Sequence, residues 1–302
     1  MTSEDPTSSG GADPIRVARA ACALAGLDPA NAHVIHNYAN AVLLLPAEHA
    51  VARVAAGDHT AQARNMLAVT RWLSQHGYPA VTPLRDTDAV SVVGHTVTFW
   101  HYYPQAGPTP DLDSAVLGTL LRRLHELRQP PVRLRSWQPL TSLERAISNP
   151  AASPVLTDDD RDWLKKRIPA LRSELAVVDW PLGNGLIHGD AWLGNLLRGN
   201  HGTVLMGDWD SAAWGPREVD LVPTWHAARR YHDDPDRVRI FTERYGYDLE
   251  ESPGFELLLE MRDFVQLSAP LRHAHRSREH AEALRQRLDG TRTRRAGRWH
   301  AF

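Results

Sequence analysis

Residues 186–210, LIHGDAWLGNLLRGNHGTVLMGDWD, constrain this chain more than any other stretch. Three short apolar runs, GLIHGD (185–190), NLLR (195–198) and TVLMGD (203–208), interrupt a half of the chain that is otherwise helical in texture. The second and third flank Gly199-Asn200-His201-Gly202, a strong turn signal, and are expected to pair as a hairpin. That hairpin returns Asp208 close to Asn195, while Asp190 ends the first run five residues before the asparagine. Two carboxylates and an amide oxygen are therefore expected to converge. Isolated Asp and Asn in turns usually bond their own backbone. Three of them at strand ends form a different pattern. Gly189 and Gly207 are expected to let the backbone turn tightly beside each acid.

The flanking sequence sets this segment in context. IRVARAACALAGL (15–27) has helical apolar spacing. NAVLLLP (40–46) and HAVARVA (49–55) read as strands around a Pro46-Ala47-Glu48 step, and residues 60–76 read as a helix stopped by Gly77. VSVVGH and TVTFWHYY (90–103) predict another strand pair ending at Pro104. From about residue 114 the pattern is helical. SAVLGTLLRRLHELRQPP (114–131) is amphipathic and is expected to stop at its paired prolines. Residues 1–13, rich in Ser, Gly and Asp, read as a disordered leader.

Composition excludes several classes. The 302 residues carry a formal charge of −2, so no whole-molecule field draws the chain to nucleic acid or an anionic membrane. The lone Cys22 rules out an internal disulfide and suits a reducing compartment. Without a signal pattern or an apolar run of the ~18 residues a membrane span needs, a cytoplasmic protein is expected. His273, His275 and His280 lie near Glu279 without a zinc-protease spacing, and read as a solvated helix face. The basic end, RQRLDGTRTRRAGRWHAF, reads as a solvated terminal helix and tail rather than an RNA-binding patch.

The acids of residues 186–210 suit one chemistry in particular. Phosphoryl transfer involves a highly charged group and depends on positioning and charge neutralisation. Hard oxygen donors suit Mg²⁺, which takes one or two carboxylates together with phosphates and water. Asp208 and Asn195 would be the metal ligands, and Asp190 would accept or orient the proton of a hydroxyl.

H-G-D-x-x-x-x-N followed by D-W-D resembles the aminoglycoside phosphotransferase and choline kinase family, relatives of protein kinases. HGDAWLGNLL is similar to antibiotic-phosphotransferase-like proteins of actinobacterial type. NAVLLLP…AVARV resembles the nucleotide-lobe strands, RWLSQHGYPAVTPL the helix and exit of that lobe, VTFWHYYP the hinge, and LGTLLRRLHEL the helix after it. The resemblance implies a two-lobed, protein-kinase-like α+β fold. Its nucleotide-binding N-lobe with hinge would span 14–103 and its helical catalytic and acceptor-binding lobe 104–302, with the nucleotide between them. It implies a Mg²⁺-dependent kinase that moves the terminal phosphoryl group of ATP or GTP to a hydroxyl of an aminoglycoside, another antibiotic or a small hydroxylated metabolite. Asp190, Asn195 and Asp208 would be catalytic. Arg53, Asn40, Trp100, His101 and Tyr102 would contact nucleotide, and Asp210, His188, Asp220 and Trp192 would contact acceptor or support the site. Asp220, in VDLVP, would brace the catalytic loop.

The sequence also departs from that family pattern. Arg53 stands where kinases of this class carry a lysine, and no acid occurs from His59 to Arg85 to serve as its helix partner. HNYAN (36–40) replaces a glycine-rich phosphate loop. Arg53 is accordingly expected to be mobile until nucleotide orders it. The rival readings are a catalytically weak nucleotide-binding protein and a protein kinase. The lack of a recognisable D-F-G to A-P-E segment weighs against the second.

Overall fold

The computed structural model describes residues 12–37, 40–105, 112–149, 155–231, 234–275, 277–293 and 297–300. Most of the expected leader lies outside them. Asp13 does not belong to that leader, because its carboxylate caps the first helix through Ile15 N–H at 3.0 Å. The described residues divide into two compact units. One draws on Met1–Gly107, Pro130–Arg133 and Leu197–Asp210, the other on Pro108–Gln129, Leu134–Leu196 and Ser211–Phe302.

The first unit is built on an antiparallel sheet of order β1-β2-β3-β5-β4. Its strands are β1 (His33–Asn37), β2 (Ala41–Leu45), β3 (Ala50–Ala56), β4 (Val90–Val92) and β5 (His95–His101). Strict alternation in β2 and β3 buries Leu43, Leu45, Ala50, Ala52 and Val54 on one face. Helix α1 (Pro14–Ala25) closes that face with Val17, Ala18, Ala21 and Cys22, all fully buried, against Val97 and Phe99. Alternation turns Val51 and Arg53 to the other face. Helix α2 (Thr60–Gln75) buries Met66, Leu67, Val69, Trp72 and Leu73.

A later part of the chain completes this unit. Strands β7 (Leu196–Arg198) and β8 (Val204–Met206) pair as the sequence predicts. Met206 then bonds with the backbone beyond α2, giving its N–H to Pro79 O at 2.8 Å and accepting from Val81 N–H at 3.0 Å.

The second unit is helical around a small strand pair, β6 (Asn184–Ile187) with β9 (Ala213–Pro216). Its helices are α3 (Ser114–His125), α4 (Thr141–Ser148), α5 (Asp158–Ala176), α6 (Val222–Tyr231), α7 (Pro235–Tyr245), α8 (Phe255–Val265), α9 (Ser268–His273) and α10 (Arg278–Thr293). Helix α3 ends at His125, short of Pro130-Pro131, because the Glu126 and Leu127 N–H groups fold back onto the Arg122 and Leu124 carbonyls. Gly118 on α3 lets α7 approach, since a Cβ there would meet Phe241 O at 2.8 Å. None of the described helices is long and apolar enough to cross a membrane.

The tail expected to be solvated is packed at Trp299. Trp299 is 3% exposed, and its N–H bonds Arg230 O at 2.7 Å. The Arg230 and Arg287 guanidiniums lie 4.5 and 5.5 Å from its ring centroid. Cation–π contact and burial of the indole hold the segment down, against Arg287 of the basic stretch itself and Arg230 of α6.

Candidate functional site

In the helical unit, β6 delivers the backbone to His188, Gly189 and Asp190. Gly189 has φ 82°, and a Cβ there would lie 2.4 Å from Ser211 O, so no other residue fits the turn. His188 is fully buried, and its Nδ1 accepts from Asp190 N–H at 3.3 Å. Asp220, itself fully buried, accepts the His188 and Gly189 N–H groups on its two oxygens, each at 2.7 Å. A carboxylate buried this deeply needs such donors.

A third donor reaches Asp220 through a relay. His125 Nε2 lies 3.1 Å from Asp220 Oδ2, and His125 Nδ1 lies 2.7 Å from the Tyr245 hydroxyl. Burial pushes the Tyr245 pKa up, so the phenol keeps its proton and donates to Nδ1. The Nε2 of His125 is then the donor to Asp220. His125 and Tyr245 were not identified from sequence. Their partners lie 95 and 120 residues away along the chain, and only the position of His125 in LRRLHEL pointed there.

The Asp190 side chain is about one-third exposed, and its Oδ1 accepts from Arg262 Nη1 of α8 at 2.7 Å. Arg262 was not expected from sequence. Asn195 gives its Nδ2 to the Asp190 carbonyl at 2.7 Å, which leaves its Oδ1 as an oxygen donor. Trp192 is half exposed and lies over Gly194, where a Cβ would come within 2.3 Å of the indole.

The first unit holds a second group. The turn after β8 places left-handed backbone on Asp208 itself, φ 53°, and not on Gly207. Asp tolerates this conformation better than most residues, but a strained residue held by its surroundings is a mark of functional sites. Trp209 anchors the segment: it is 1% exposed, donates its indole N–H to Met206 O at 2.9 Å and meets Tyr78 edge-on. Asp208 and Asp210, on either side of it, stay accessible.

Arg53 on β3 reaches these acids. Its Nη2 bonds Asp210 Oδ2 and lies 3.9 Å from Asp208 Oδ1. The expectation that Arg53 is orientated only by nucleotide is therefore corrected. An acid does hold it, from the D-W-D segment instead of helix α2.

The remaining expected nucleotide contacts also belong to the first unit. Asn40 lies at a bend before β2, partly exposed. Trp100 is 8% exposed and donates to Thr98 Oγ1, so its ring is taken up by packing. His101 and Tyr102 are half-buried, and their N–H groups bond Thr82 O and His49 O. Of HNYAN, His36 and Asn37 belong to β1, and Tyr38 and Ala39 lie outside the described residues.

A buried cluster backs α8. Asp263 accepts from His226 Nε2 at 3.0 Å and from Arg230 Nε at 2.8 Å. Burial works to raise the Asp263 pKa, but the hydrogen bonds from His226 and Arg230 outweigh it and hold the carboxyl below its ordinary range. Burial lowers His226 to about 4, against the opposing pull of Asp263.

The family model of the phosphotransferase enzyme family (APH) matches residues 30–255. The chain belongs to this family. It is a phosphotransferase that moves phosphate to a hydroxyl group of a small molecule. A search of curated proteins returned no match. Among solved structures, the chain is similar to an amicoumacin kinase in complex with AMP-PNP, Ca²⁺ and Ami, at 16% identity and TM-score 0.68, over 94% of each chain. It is also similar to a microcompartment-associated aminopropanol kinase, at 21% identity and TM-score 0.60, over 92% of this chain and 95% of that one. A choline/ethanolamine kinase family protein from Mesorhizobium loti follows at 17% identity and TM-score 0.57, over 92% of both. At these identities the likeness is one of fold, and the phosphotransferase has the protein-kinase-like α+β fold.

Proposed function

We propose that this phosphotransferase transfers the terminal phosphoryl group of ATP or GTP, as its Mg²⁺ complex, to a hydroxyl of an aminoglycoside, another antibiotic or a related small hydroxylated metabolite. The observation that carries the reading is the Asp190 turn. Asp220 fixes it through two backbone N–H groups, while the Asp190 side chain stays partly exposed. Asp190 then receives or orients the acceptor's hydroxyl proton, a role that requires a carboxylate held in place before substrate arrives.

The donor chemistry of Asp208 and Asn195 fits Mg²⁺. Both offer hard oxygens, and Asn195 has committed its nitrogen elsewhere. Among the described residues no three His, Cys, Asp or Glu side chains could hold a metal by themselves, so phosphate oxygens and water would complete the shell. When bound, the ion neutralises charge on the transferring phosphates. Arg53 grips the phosphates through its other N–H groups while Asp210 holds Nη2. The planar fork suits that division, because a guanidinium offers several donors in fixed directions. Trp192 offers an exposed ring to the acceptor.

A second reading, nucleotide binding with slow turnover, is favoured by one observation: Arg53 is already engaged by Asp210. Measuring ATP and GTP consumption, with and without Mg²⁺, against antibiotics, sugars and amino alcohols separates the two. An acceptor-dependent rate with a phosphorylated product supports transfer. Binding of nucleotide with only slow hydrolysis across the panel supports the second reading and overturns the first.

A further inference from the structure

Arg262 has no evident purpose as a structural residue. It lies on α8, 9% exposed, and its ion-pair partner among the described residues is Asp190. Its Nε is buried without a hydrogen-bond partner. The next residue cannot neutralise it, because Asp263 is engaged by Arg230 and His226. Burying a guanidinium with an unsatisfied donor destabilises a fold, and an apolar side chain of similar volume usually serves packing better.

The geometry around Asp190 supplies a reason for keeping it. The backbone of residues 188–190 is fixed by Asp220 and Asn195, but neither touches the Asp190 carboxylate. That side chain can still rotate about its last torsion, a broad and weakly restrained one. Arg262 Nη1 takes Oδ1 at 2.7 Å. A carboxylate held at one oxygen presents the other in a defined direction.

We propose that Arg262 is a positioning residue for Asp190: it fixes Oδ1 and leaves Oδ2 to accept the hydrogen bond of the acceptor hydroxyl. This inference rests on the reading of Asp190 as the group that receives that proton. Arg262 acts through Asp190, so its removal changes the chemical step and not the grip on nucleotide. A lysine reaches the same oxygen as a point charge without the planar fork, and rescues in part.

The test compares wild type with Arg262→Gln, Arg262→Lys and Arg262→Ala, using MgATP and the fastest acceptor of the panel. Asp190→Asn is run in parallel. The expected result for Arg262→Gln is a fall in kcat of about 10–100-fold, the scale of a lost charge-assisted hydrogen bond, with the MgATP KM within about twofold. Arg262→Lys falls between Gln and wild type, and guanidinium ion restores part of the Arg262→Ala rate. Full turnover by a folded Arg262→Gln overturns the proposal. So does equal loss in Gln and Lys variants with matching falls in melting temperature, since that is structural damage. Should Arg262→Gln not fold, Arg262→Lys decides: reduced kcat at unchanged MgATP KM supports positioning, and unchanged kcat overturns it. Full turnover by Asp190→Asn removes the underlying reading of Asp190. A slow Asp190→Asn beside fully active Arg262 variants removes the positioning role alone.

Discussion

Replacing Arg53 with alanine and Asp210 with asparagine, singly and together, measures how Arg53, proposed above to grip the phosphates, is orientated in this chain. Both side chains are partly exposed, 21% and 39%, so a bare Coulomb figure overstates their pairing. At the 3.9 Å between Arg53 Nη2 and Asp208 Oδ1, opposite unit charges interact by about 4 kcal/mol at an effective dielectric of ~20 and about 1 kcal/mol in water. Exposed pairs measured by mutant cycles reach about 0.2–1 kcal/mol. A coupling near 1 kcal/mol is therefore expected in nucleotide-free protein, visible as a melting shift of about 2–4 °C. Asp208 remains beside Arg53 when Asp210 is neutralised, so Asp210→Asn is the milder single change. In a coupled assay of triphosphate consumption, Arg53→Ala should lower kcat/KM for triphosphate by about 10–150-fold, the value of a hydrogen bond to a charged group. Asp210→Asn should lower it by about 2–10-fold, closer to an ordinary hydrogen bond. The decisive comparison is the double variant. If Asp210 acts by orienting Arg53, its neutralisation adds nothing once Arg53 is gone. Additive losses would refute that reasoning and give Asp210 a role of its own.

Three further outcomes follow from the geometry. Asp190→Asn should keep the fold and nucleotide affinity while kcat drops by about 10²–10⁴, as for loss of a positioned base; near-normal turnover with the true acceptor removes it from the mechanism. Gly189→Ala should cost at least roughly 1–3 kcal/mol from its positive φ alone, with more from the clash at Ser211 O; a denaturant midpoint equal to wild type would contradict the turn described. His226, held near 4 by burial, takes up a proton on unfolding between its ordinary pKa and that value, so the unfolded chain binds more protons there. Its contribution to stability is therefore full above pH 6.5 and declines as pH falls toward 4, and urea midpoints at pH 7 and 5 should differ less in His226→Gln than in wild type.

The sequence was legible where one face of an element is buried and silent where pairing is remote. Leu43, Leu45, Ala50, Ala52 and Val54 alternate cleanly, so β2 and β3 can be read directly. Strand β1 could not be, because every residue of HVIHN is exposed and the register shifts between Val34 and His36. Strand β9 is four residues, Ala213–Pro216, half of them Gly and Pro. Asp190, Asn195, Asp208 and Asp220 stand out in the sequence because their neighbours are local or follow the family's spacing. Arg262 and Asp210 could not be assigned as partners, because 72 and 157 residues separate them from Asp190 and Arg53. No periodicity carries that information. Trp299 shows the same limit: a basic run reads as solvated until its ring is seen against Arg230, far away on α6.

The chain leaves its helical unit at Leu197 and returns at Ser211, so the β-rich unit is assembled from separate stretches. This has a consequence for recombination between family members. A single crossover placed between residues 107 and 197 would take Arg53 from one parent and Asp210 from the other. It would also divide the Pro79–Met206 and Val81–Met206 backbone pairs and the Tyr78–Trp209 contact between two ancestries. With a parent that carries a lysine at position 53 and an acid on α2, one hybrid would hold a cation countered both from α2 and from Asp210, and the reciprocal one an arginine with no acid on α2. Functional chimeras are expected to retain residues 197–210 together with the first hundred, so the inheritable module is this discontinuous set and not the N-terminal segment.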